Sequence, residues 1–352
     1  MLKVKIKHKK NKKQKQKQNI ERLVCYKSTF LKLLFFLFYI IFNIRVLTKN
    51  NNNNINNNNN INYNKTNNNI NNTYFTCYIA MAKLENRYAR ELVEYYISLG
   101  VEKFYLGDDN LLNTEKLSDV LQDYIDSGIV EIKETGQGNW THHDYFEYML
   151  KKHKDECKWM FFYDMDEYLY FVDKHMTLKK YLSLDMFNKC DVIKIDWLMY
   201  YDNDLVYYDN RPLKERFTKP DYNTYENHNH KSLVRGKDYN GVMWSLGTGP
   251  HQPNESLVNM CNSDGQLSNV RHGVMSPPTY THCYLKHYSL KTAEEYAIRV
   301  RRGNFQNTQF DINERFERFF QYNKFTKEKL DIIEKIMNRT FPQLHKKYLP
   351  IN

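Results

Sequence analysis

The sequence predicts an α/β fold in which a mainly parallel, doubly wound sheet is flanked by helices. Two observations predict this class. From residue 75 onward, short apolar runs alternate with amphipathic segments of helical period, and acidic residues follow several of the apolar runs. Strands that alternate with helices are typical of parallel sheets, because each helix carries the chain back across the sheet. Acidic side chains at successive strand ends then fall at one edge, where such sheets bind ligands.

The first half of this region alternates between strand and helix. Apolar runs predict the strands, and amphipathic segments ending at Gly100 and Gly128 predict helices, because glycine favours helix ends. In order, we predict a strand at 75–82, a helix at 87–99, a strand at 101–106, a helix at 114–127 capped by Thr114, a strand at 129–133 and a helix at 142–156.

The fourth strand is the most unusual stretch, because residues 158–171 combine an apolar run with Asp164, Asp166 and Glu167. In a strand, Asp164 and Asp166 would project from the same face. Burial of unpaired carboxylates is costly, so the pair needs a cation. A hard divalent ion, Mg²⁺ or Mn²⁺, suits it. The alternative is that one aspartate caps the next turn and the other is solvated.

The second half is less regular. We predict a helix at 177–187 and a strand at 191–199, followed by loops and short antiparallel strands over 200–280 that shape a substrate site. Residues 285–303 lead into a helix that ends in arginines, which suits the helix dipole. Of these, Arg301 and Arg302 are expected to be solvated, and a last helix is predicted at 326–337.

The first 73 residues do not have a globular composition. A lysine-rich tail (1–29) and an almost pure Asn linker (48–73) are predicted to be disordered. Between them, residues 30–47 carry an apolar segment whose uninterrupted core would span about 15 Å as a helix, against roughly 30 Å of bilayer hydrocarbon. No small-residue cleavage site follows, so we expect an uncleaved signal-anchor.

The lysines before this segment predict a single-pass type II membrane protein whose folded domain, 74–352, faces the Golgi or ER lumen. If the segment is too short to anchor, a cytosolic or viral-factory location is the alternative. The formal net charge of +11 belongs to the tail, because residues 1–74 carry +14 and the rest −3. Nucleic-acid binding by the folded domain is therefore not expected.

The six cysteines contain no CxxC pair, which gives no support to a zinc ribbon or a thioredoxin-type site. A disulfide remains open.

Three segments together resemble proteins of the glycosyltransferase family 2-like and family 92 groups. They read KLENRYARELVEYYISLGVEKFYLGDDN at 83–110, DMDEY at 164–168 and KHYSLKTAEEYAIRVRRG at 286–303. Each motif is weak alone, but their order and spacing are specific. The resemblance implies a GT-A-type, Rossmann-like fold. It also implies transfer of a sugar from a nucleotide-sugar donor to a glycan or glycoprotein acceptor.

By position, the resemblance implies that Glu85 and the Asp108 and Asp109 pair hold the nucleoside. The sequence departs from the family pattern here, because Leu92 replaces a usual Trp and the aspartates follow Gly107. Which aspartate faces the nucleoside therefore stays open.

The resemblance also implies a metal site. Asp164 and Asp166 would carry Mn²⁺ or Mg²⁺ on the donor diphosphate, with Asp164 also contacting the nucleotide-sugar. His287, inside the third motif, is the expected third ligand, and His251 is its rival. A bound cation would stabilise the negative charge that develops on the departing diphosphate.

An inverting transfer needs a carboxylate base near the acceptor hydroxyl. Asp196, at the end of the predicted strand 191–199, is the candidate, with Glu226 and Asp202 behind it. Lys231 and Arg235 either neutralise the diphosphate or belong to an ordinary surface strand.

Two other functions compete. Phosphohydrolases also carry an apolar strand that ends in DxD, but they usually have Thr or Val where Tyr168 stands, and that strand comes first in their domain. A non-catalytic GT-A-like glycan-binding protein is the other alternative, and the intact Asp164 and Asp166 argue against it.

Overall fold

The computed structural model describes residues 74–136, 140–237, 239, 258–267, 277–303 and 311–348. The predicted tail, signal-anchor and linker, and His251, lie outside these ranges. Within them, no helix combines the length and apolar character that a membrane crossing requires.

A mixed sheet forms the centre of the fold, with the strand order β3-β2-β1-β4-β8-β6-β10-β5 along its main path. Its strands are β1 (Tyr74–Ala82), β2 (Lys103–Asp108), β3 (Val130–Glu134), β4 (Cys157–Phe162), β5 (Glu167–Phe171), β6 (Val192–Tyr200), β7 (Pro220–Asp221), β8 (His230–Arg235), β9 (Met260–Cys261) and β10 (Cys283–His287). The pairs β1–β2, β2–β3, β1–β4 and β6–β10 are parallel, whereas β8 runs antiparallel to both β4 and β6. The predicted α/β class is confirmed.

Helices cover both faces of this sheet. They are α1 (Asn86–Leu99), α2 (Ser118–Asp126), α3 (His142–His153), α4 (Leu178–Leu182), α5 (Leu213–Arg216), α6 (Ala293–Arg302), α7 (Ile312–Tyr322), α8 (Lys327–Met337) and α9 (Pro342–Tyr348). Buried residues of α1 and α2 pack on one face, and those of α3 pack on the other. The helices from α6 to α9 share a separate apolar cluster.

The two-sided cover explains why the central strands read as continuous apolar runs. In β1, Tyr78 and Ala80 join the core on the α1 side, and Ile79 and Met81 join the core on the α3 side. Strands that are buried on both faces have no polar alternation. The alternation of side chains between the two faces is therefore seen in the packing but not in the pattern of polar and apolar residues.

The largest departure from prediction concerns residues 158–171, which do not form one strand. β4 ends at Phe162 and β5 begins at Glu167, so Asp164 and Asp166 lie in the turn between them and not on a strand face. The turn closes on itself, because the Glu167 amide donates to the Asp164 carbonyl at 3.2 Å. β5 then pairs with β10 at the far end of the sheet.

Smaller departures have similar local causes. The helix predicted from Thr114 begins at Ser118, and the Thr114 hydroxyl donates to the Leu111 carbonyl and caps no helix. The helix predicted at 177–187 divides into α4 and a short 3₁₀ turn, Asp185–Phe187. Neither α7 nor α9 was predicted from the sequence, so the predicted last helix at 326–337 is followed by one more.

The strand that carries Lys231 and Arg235 is central and not a surface strand. β8 lies between β4 and β6, and Lys231 is fully buried. The Arg235 guanidinium donates to the carbonyls of Phe187 and Cys190, and its role is structural.

Two disulfides settle what the sequence left open. Cys77 of β1 joins Cys157 of β4, and Cys190 joins Cys261 of β9. Cys283 is a free thiol in the core.

Candidate active site

The strand directions bring the ends of distant segments to one edge of the sheet. β1, β2 and β4 run in the same direction, and β6 and β10 share it because β8 is antiparallel to both β4 and β6. The turn after β4 and the end of β10 therefore meet at the carboxyl edge, where such sheets bind ligands.

Asp164 is held at this edge by the turn and by a buried lysine. Its amide donates to the Glu167 carboxylate at 2.9 Å, and its carbonyl accepts from the Tyr78 hydroxyl at 3.0 Å. Its Oδ2 lies 2.6 Å from Lys231 Nζ. Burial would raise the pKa of Asp164, but the Lys231 ammonium outweighs that effect and the pKa falls to about 2. Asp164 is therefore ionised at neutral pH.

His142 contacts the same carboxylate from α3. The Thr141 and Asp144 capping box starts this helix and places His142 in its first turn. His142 Nε2 lies 3.3 Å from Asp164 Oδ1. Burial lowers the pKa of His142 to about 4, so the imidazole is neutral at pH 7.

Asp166 is surrounded by positive groups from the third sequence motif. Its Oδ2 lies 3.5 Å from Lys291 Nζ and 3.3 Å from an Arg299 nitrogen. Its Oδ1 lies 3.6 Å from His287 Nε2. Burial would raise the pKa of Asp166, but Lys291 and the neighbouring His287 help to hold the pKa well below its usual range.

His287 itself is neutral, because burial lowers the pKa of its imidazole. Its ring packs against Trp197 with centroids 4.0 Å apart. Its buried Nδ1 has no hydrogen-bond partner in the described part of the chain. A neutral imidazole beside an ionised carboxylate is a suitable pair of metal ligands.

The described residues supply part of the ligand set that a divalent ion needs. Among the residues that the structure describes, no three carboxylate, imidazole or thiolate groups are arranged to hold a metal ion. Asp166 and His287 supply two ligands, and Asp164 lines the cavity next to them. Mg²⁺ commonly takes one or two protein carboxylates and completes its octahedron with water and substrate phosphates. The residues therefore fit an ion that binds together with a phosphate ligand.

A cavity of about 140 Å³ opens beside this group. Asp164, His287 and Trp197 line it, and Arg299, Arg315 and Arg318 line it as well. Three arginines give the cavity a positive side that suits an anionic ligand.

The residues expected at the nucleoside lie at the same edge and already have partners. Both Asp108 carboxylate oxygens accept backbone amides, those of Asn110 at 3.0 Å and Leu117 at 2.8 Å. Asp109 lies 3.4 Å from Lys83 Nζ. Burial raises the pKa of both aspartates.

Glu85 lies 3.3 Å from an Arg302 nitrogen, so Arg302 is paired and not solvated as expected. Glu85, Lys291, Arg299 and Arg302 also line one small cavity, which connects Glu85 with the Asp166 group.

The structure does not bring Asp196 into contact with this group. Adjacent residues of a strand point to opposite faces, and Trp197 packs on His287, so Asp196 points to the other face. Its Oδ2 accepts the Thr279 amide at 2.7 Å, and burial raises its pKa to about 7.

Of the two other base candidates, Asp202 lies 2.5 Å from the buried Lys329 and belongs to a structural ion pair. Glu226 lies 2.8 Å from Arg318, which lines the cavity.

His142, Lys291 and Arg299 are members of the site that the sequence did not predict. Lys291 and Arg299 lie within the third motif, so the motif was the available signal. For His142, the available sequence signal was the T-x-x-D pattern at the start of its helix.

Comparison with known proteins agrees with one of the two families that the sequence resembles. The profile of glycosyltransferase family 92 matches residues 79–341. No curated protein matches the chain. Similar solved structures include "Crystal structure of S. aureus TarS", with 11% identity, a TM-score of 0.33, and coverage of 79% of this chain and 46% of that chain. A second, "Crystal structure of S. aureus TarS 1-349", has 14% identity, a TM-score of 0.31, and coverage of 78% and 73%.

The chain thus spans less than half of the first TarS structure. The family match covers well over half of the chain and contains all three motifs. This protein belongs to glycosyltransferase family 92.

Proposed function

We propose that the enzyme transfers a sugar from a nucleotide-sugar donor to a glycan or glycoprotein acceptor, and that the reaction depends on Mn²⁺ or Mg²⁺. The observation that carries this proposal is the 3.6 Å approach of Asp166 to a neutral His287, beside a cavity lined by arginines. These are groups that a metal-bound diphosphate requires.

Asp164, Asp166 and His287 would hold the metal, which when bound supplies Lewis-acid stabilisation of the departing diphosphate. The chain's own residues prepare this site. Lys231 keeps Asp164 ionised, because its ammonium lies 2.6 Å from the carboxylate. Lys291 and Arg299 place fixed positive charge where a phosphate would lie next to Asp166.

Glu85, Asp108 and Asp109 are the proposed nucleoside-binding residues. Backbone amides occupy both oxygens of Asp108, so it would act by shaping the loop after β2. Among the described residues, the Asp109 carboxylate has the Lys83 ion pair and a 3.4 Å contact with Thr135 as its side-chain partners. We therefore assign the direct contact with the nucleoside to Asp109.

The proposed general base is either Asp196 or Glu226. Asp196 points to the face of β6 opposite to His287, so the case for it rests on its acidity alone. A base works best when its pKa lies near the working pH, and the Asp196 pKa of about 7 meets that requirement. Glu226 is the alternative, because its partner Arg318 lines the cavity. Asp196→Asn and Glu226→Gln distinguish them, since only loss of the true base should lower the rate of transfer without changing nucleotide binding.

The proposal is tested with the full chain and a panel of UDP- and GDP-sugars, in Mn²⁺ or in EDTA. We expect release of one nucleotide in Mn²⁺ only. Asp166→Asn should lose that activity by about 100-fold or more, the usual effect of removing a group that stabilises transition-state charge. Asp155→Ala is the matched control, because this aspartate is exposed on the loop before β4.

Asp166 is buried, so the folding of Asp166→Asn is checked by its thermal midpoint. Mn²⁺ binding, read by electron paramagnetic resonance in the presence of UDP, must weaken in this variant and not in the control. Equal activity in EDTA and Mn²⁺ would contradict metal dependence. Nucleotide-sugar binding without turnover would favour a binding protein, and release of inorganic phosphate would favour a phosphohydrolase.

A further inference from the structure

A second cavity lies on the opposite face of β10 from His287. It has a volume of about 260 Å³ and is larger than the cavity at the candidate active site. Lys286 lines it, and adjacent strand residues point to opposite faces. The walls come from α1, β5, β10 and the start of α5. Nothing in the proposed transfer reaction uses this cavity.

Four tyrosines line it, Tyr95, Tyr168, Tyr170 and Tyr288. Tyr168 lies with its ring centroid 5.1 Å from that of Tyr95 and 5.5 Å from that of Tyr288. Tyr170 is partly exposed at the opening, 5.2 Å from Tyr284. A tyrosine ring offers an apolar face and a polar hydroxyl edge. A sugar ring has the matching surface, because its C–H groups pack on aromatic faces while its hydroxyls form hydrogen bonds.

Lys286 adds a positive charge that no carboxylate of the described residues neutralises. Its ammonium lies 4.2 Å from the centroid of Tyr170 and 5.5 Å from that of Tyr200. Glu91 and Asp173 also line the cavity, but neither comes within ion-pair distance of Lys286 in the described residues. Lys214 adds a second positive charge at the opening.

Several buried lysines of the fold lie next to a carboxylate. Lys231, Lys291 and Lys329 each lie within 3.5 Å of a carboxylate oxygen, at 2.6, 3.5 and 2.5 Å respectively. A half-buried ammonium that lacks such a partner favours an anionic ligand.

We propose that this cavity is a second saccharide-binding site, separate from the transfer centre, for a sugar that carries an anionic group. The sugar ring packs on Tyr170 and its neighbours, and a carboxylate, sulfate or phosphate of the sugar pairs with Lys286. This site does not depend on the identity of the donor or on the metal.

The test measures binding of short oligosaccharides to the full chain by calorimetry and saturation-transfer NMR. The probes are tetrasaccharides of chondroitin, which carry carboxylates, of chondroitin sulfate, which also carry sulfate, and of chitin, which are neutral. Binding of inorganic sulfate and of inorganic phosphate is measured separately, without a saccharide. We expect an acidic tetrasaccharide to bind about tenfold more tightly than the neutral one or the free ions. The carboxylate and sulfate probes show which anion is preferred.

Lys286→Met keeps the aliphatic stem and removes the charge, so it should abolish the preference for acidic over neutral sugars. Tyr170→Ala should weaken both. Lys179→Met is the matched control, because Lys179 is an exposed lysine that also lies near an aromatic ring, 6.0 Å from that of Phe75. Asp166→Asn should bind as the wild type does.

Four results would each overturn the proposal. They are the absence of acidic oligosaccharide binding, an unchanged preference in Lys286→Met, free sulfate or phosphate that binds as tightly as the saccharide, and loss of binding in Asp166→Asn. The last result would move the saccharide to the transfer centre. None of the four depends on whether nucleotide-sugar turnover is observed.

Discussion

Lys231 is the residue on which the charge balance of the site depends. It is fully buried in β8 and lies 2.6 Å from Asp164 and 3.7 Å from Glu167. Loss of one partner of a buried ion pair leaves an uncompensated charge. We expect Lys231→Met to lower the free energy of unfolding by on the order of 3 kcal/mol, measured by urea denaturation.

A second substitution separates charge from packing. Asp164 is the ionised partner of Lys231, because its pKa is about 2, whereas burial raises the pKa of Glu167 well above the usual range. Asp164→Asn removes the charge that Lys231→Met leaves unpaired, so the double variant should recover part of the lost stability. If the double variant is less stable than Lys231→Met alone, the cost belongs to packing and not to charge.

Asp196 should make stability depend on pH in a defined window. Burial raises its folded-state pKa to about 7, from roughly 3.9 in an unfolded chain. The folded state therefore binds the proton more tightly, and stability falls as the pH rises from about 4 to about 7. Asp196→Asn mimics the neutral acid, so it should be more stable than the wild type at pH 8, by on the order of 3 kcal/mol, with no advantage near pH 4.

Urea denaturation at the two pH values checks this expectation, with Asp185→Asn in the exposed 3₁₀ turn as the control. An advantage that is the same at both pH values would mean that the carboxyl group does not titrate near neutrality.

At the scale of single residues, the sequence alone could identify the acidic residues of the site but not the residues that pair with them. DMDEY marks Asp164 and Asp166 through the cost of burying them, and the third motif marks His287. Lys291 contacts Asp166 across 125 residues, and Lys231 contacts Asp164 across 67. Such pairs depend on which strands are neighbours in the sheet, and a local pattern does not contain that information.

The α1 helix protects the free edge of β5. Tyr95 and Tyr96 of α1 donate to the carbonyls of Leu169 and Glu167 at 2.5 and 2.8 Å, and the Leu169 amide donates to the Tyr96 hydroxyl at 3.0 Å. An open sheet edge presents unpaired backbone groups, and native proteins cover such edges. Here side-chain hydroxyls take the place of a neighbouring strand.

Tyr96→Phe should therefore cost about 1–3 kcal/mol, because a buried amide and a buried carbonyl lose their partner. Thermal and urea denaturation measure the loss. Tyr124→Phe is the matched control, since its hydroxyl meets Glu94 at the surface. An equal, small effect of both substitutions would show that β5 does not need these hydroxyls.

Element prediction succeeded where local signals were strong and failed where they were not. β1 and α1 follow from an apolar run and from a period that ends at Gly100, which has a left-handed φ of 104°. The split at residues 163–166 was missed because β4 and β5 are both buried, so no polar alternation marks the turn. The start of α2 was missed because Thr114 suits a cap by residue type, but its hydroxyl bonds within a preceding turn.

At the scale of the whole molecule, the order and direction of the strands in the sheet could not be predicted from the sequence. The class of the fold follows from the alternation of elements, but the insertion of β8 between β4 and β6 reverses a strand in the middle of the sheet. Because β8 runs in the opposite direction, it begins at the carboxyl edge, and Lys231 near its start therefore contacts Asp164. The sequence predicts the edge at which the site lies, and the topology determines which cations reach it.

Two disulfides among the described residues restrict the unfolded chain. Cys77–Cys157 joins neighbouring strands across 80 residues, and Cys190–Cys261 closes a loop of 71 residues. A crosslink of this length stabilises by roughly 4 kcal/mol in the chain-entropy account, so reduction should lower the thermal midpoint markedly. Cys77→Ser with Cys157→Ser should reproduce part of the loss, and Cys283→Ser, which removes the free thiol, tests the effect of a core serine alone.

The same bonds bear on the compartment, because stable disulfides form in oxidising environments such as the ER lumen and are rare in the cytosol. We expect the chain from its natural cell to show Cys77, Cys157, Cys190 and Cys261 protected from alkylation after unfolding without reductant. Cys283 should then react. This outcome would support the luminal orientation over a cytosolic one. Alkylation of all five of these cysteines without reductant would mean that the protein works in a reducing compartment, where its stability comes from the two-sided core and the buried ion pairs alone.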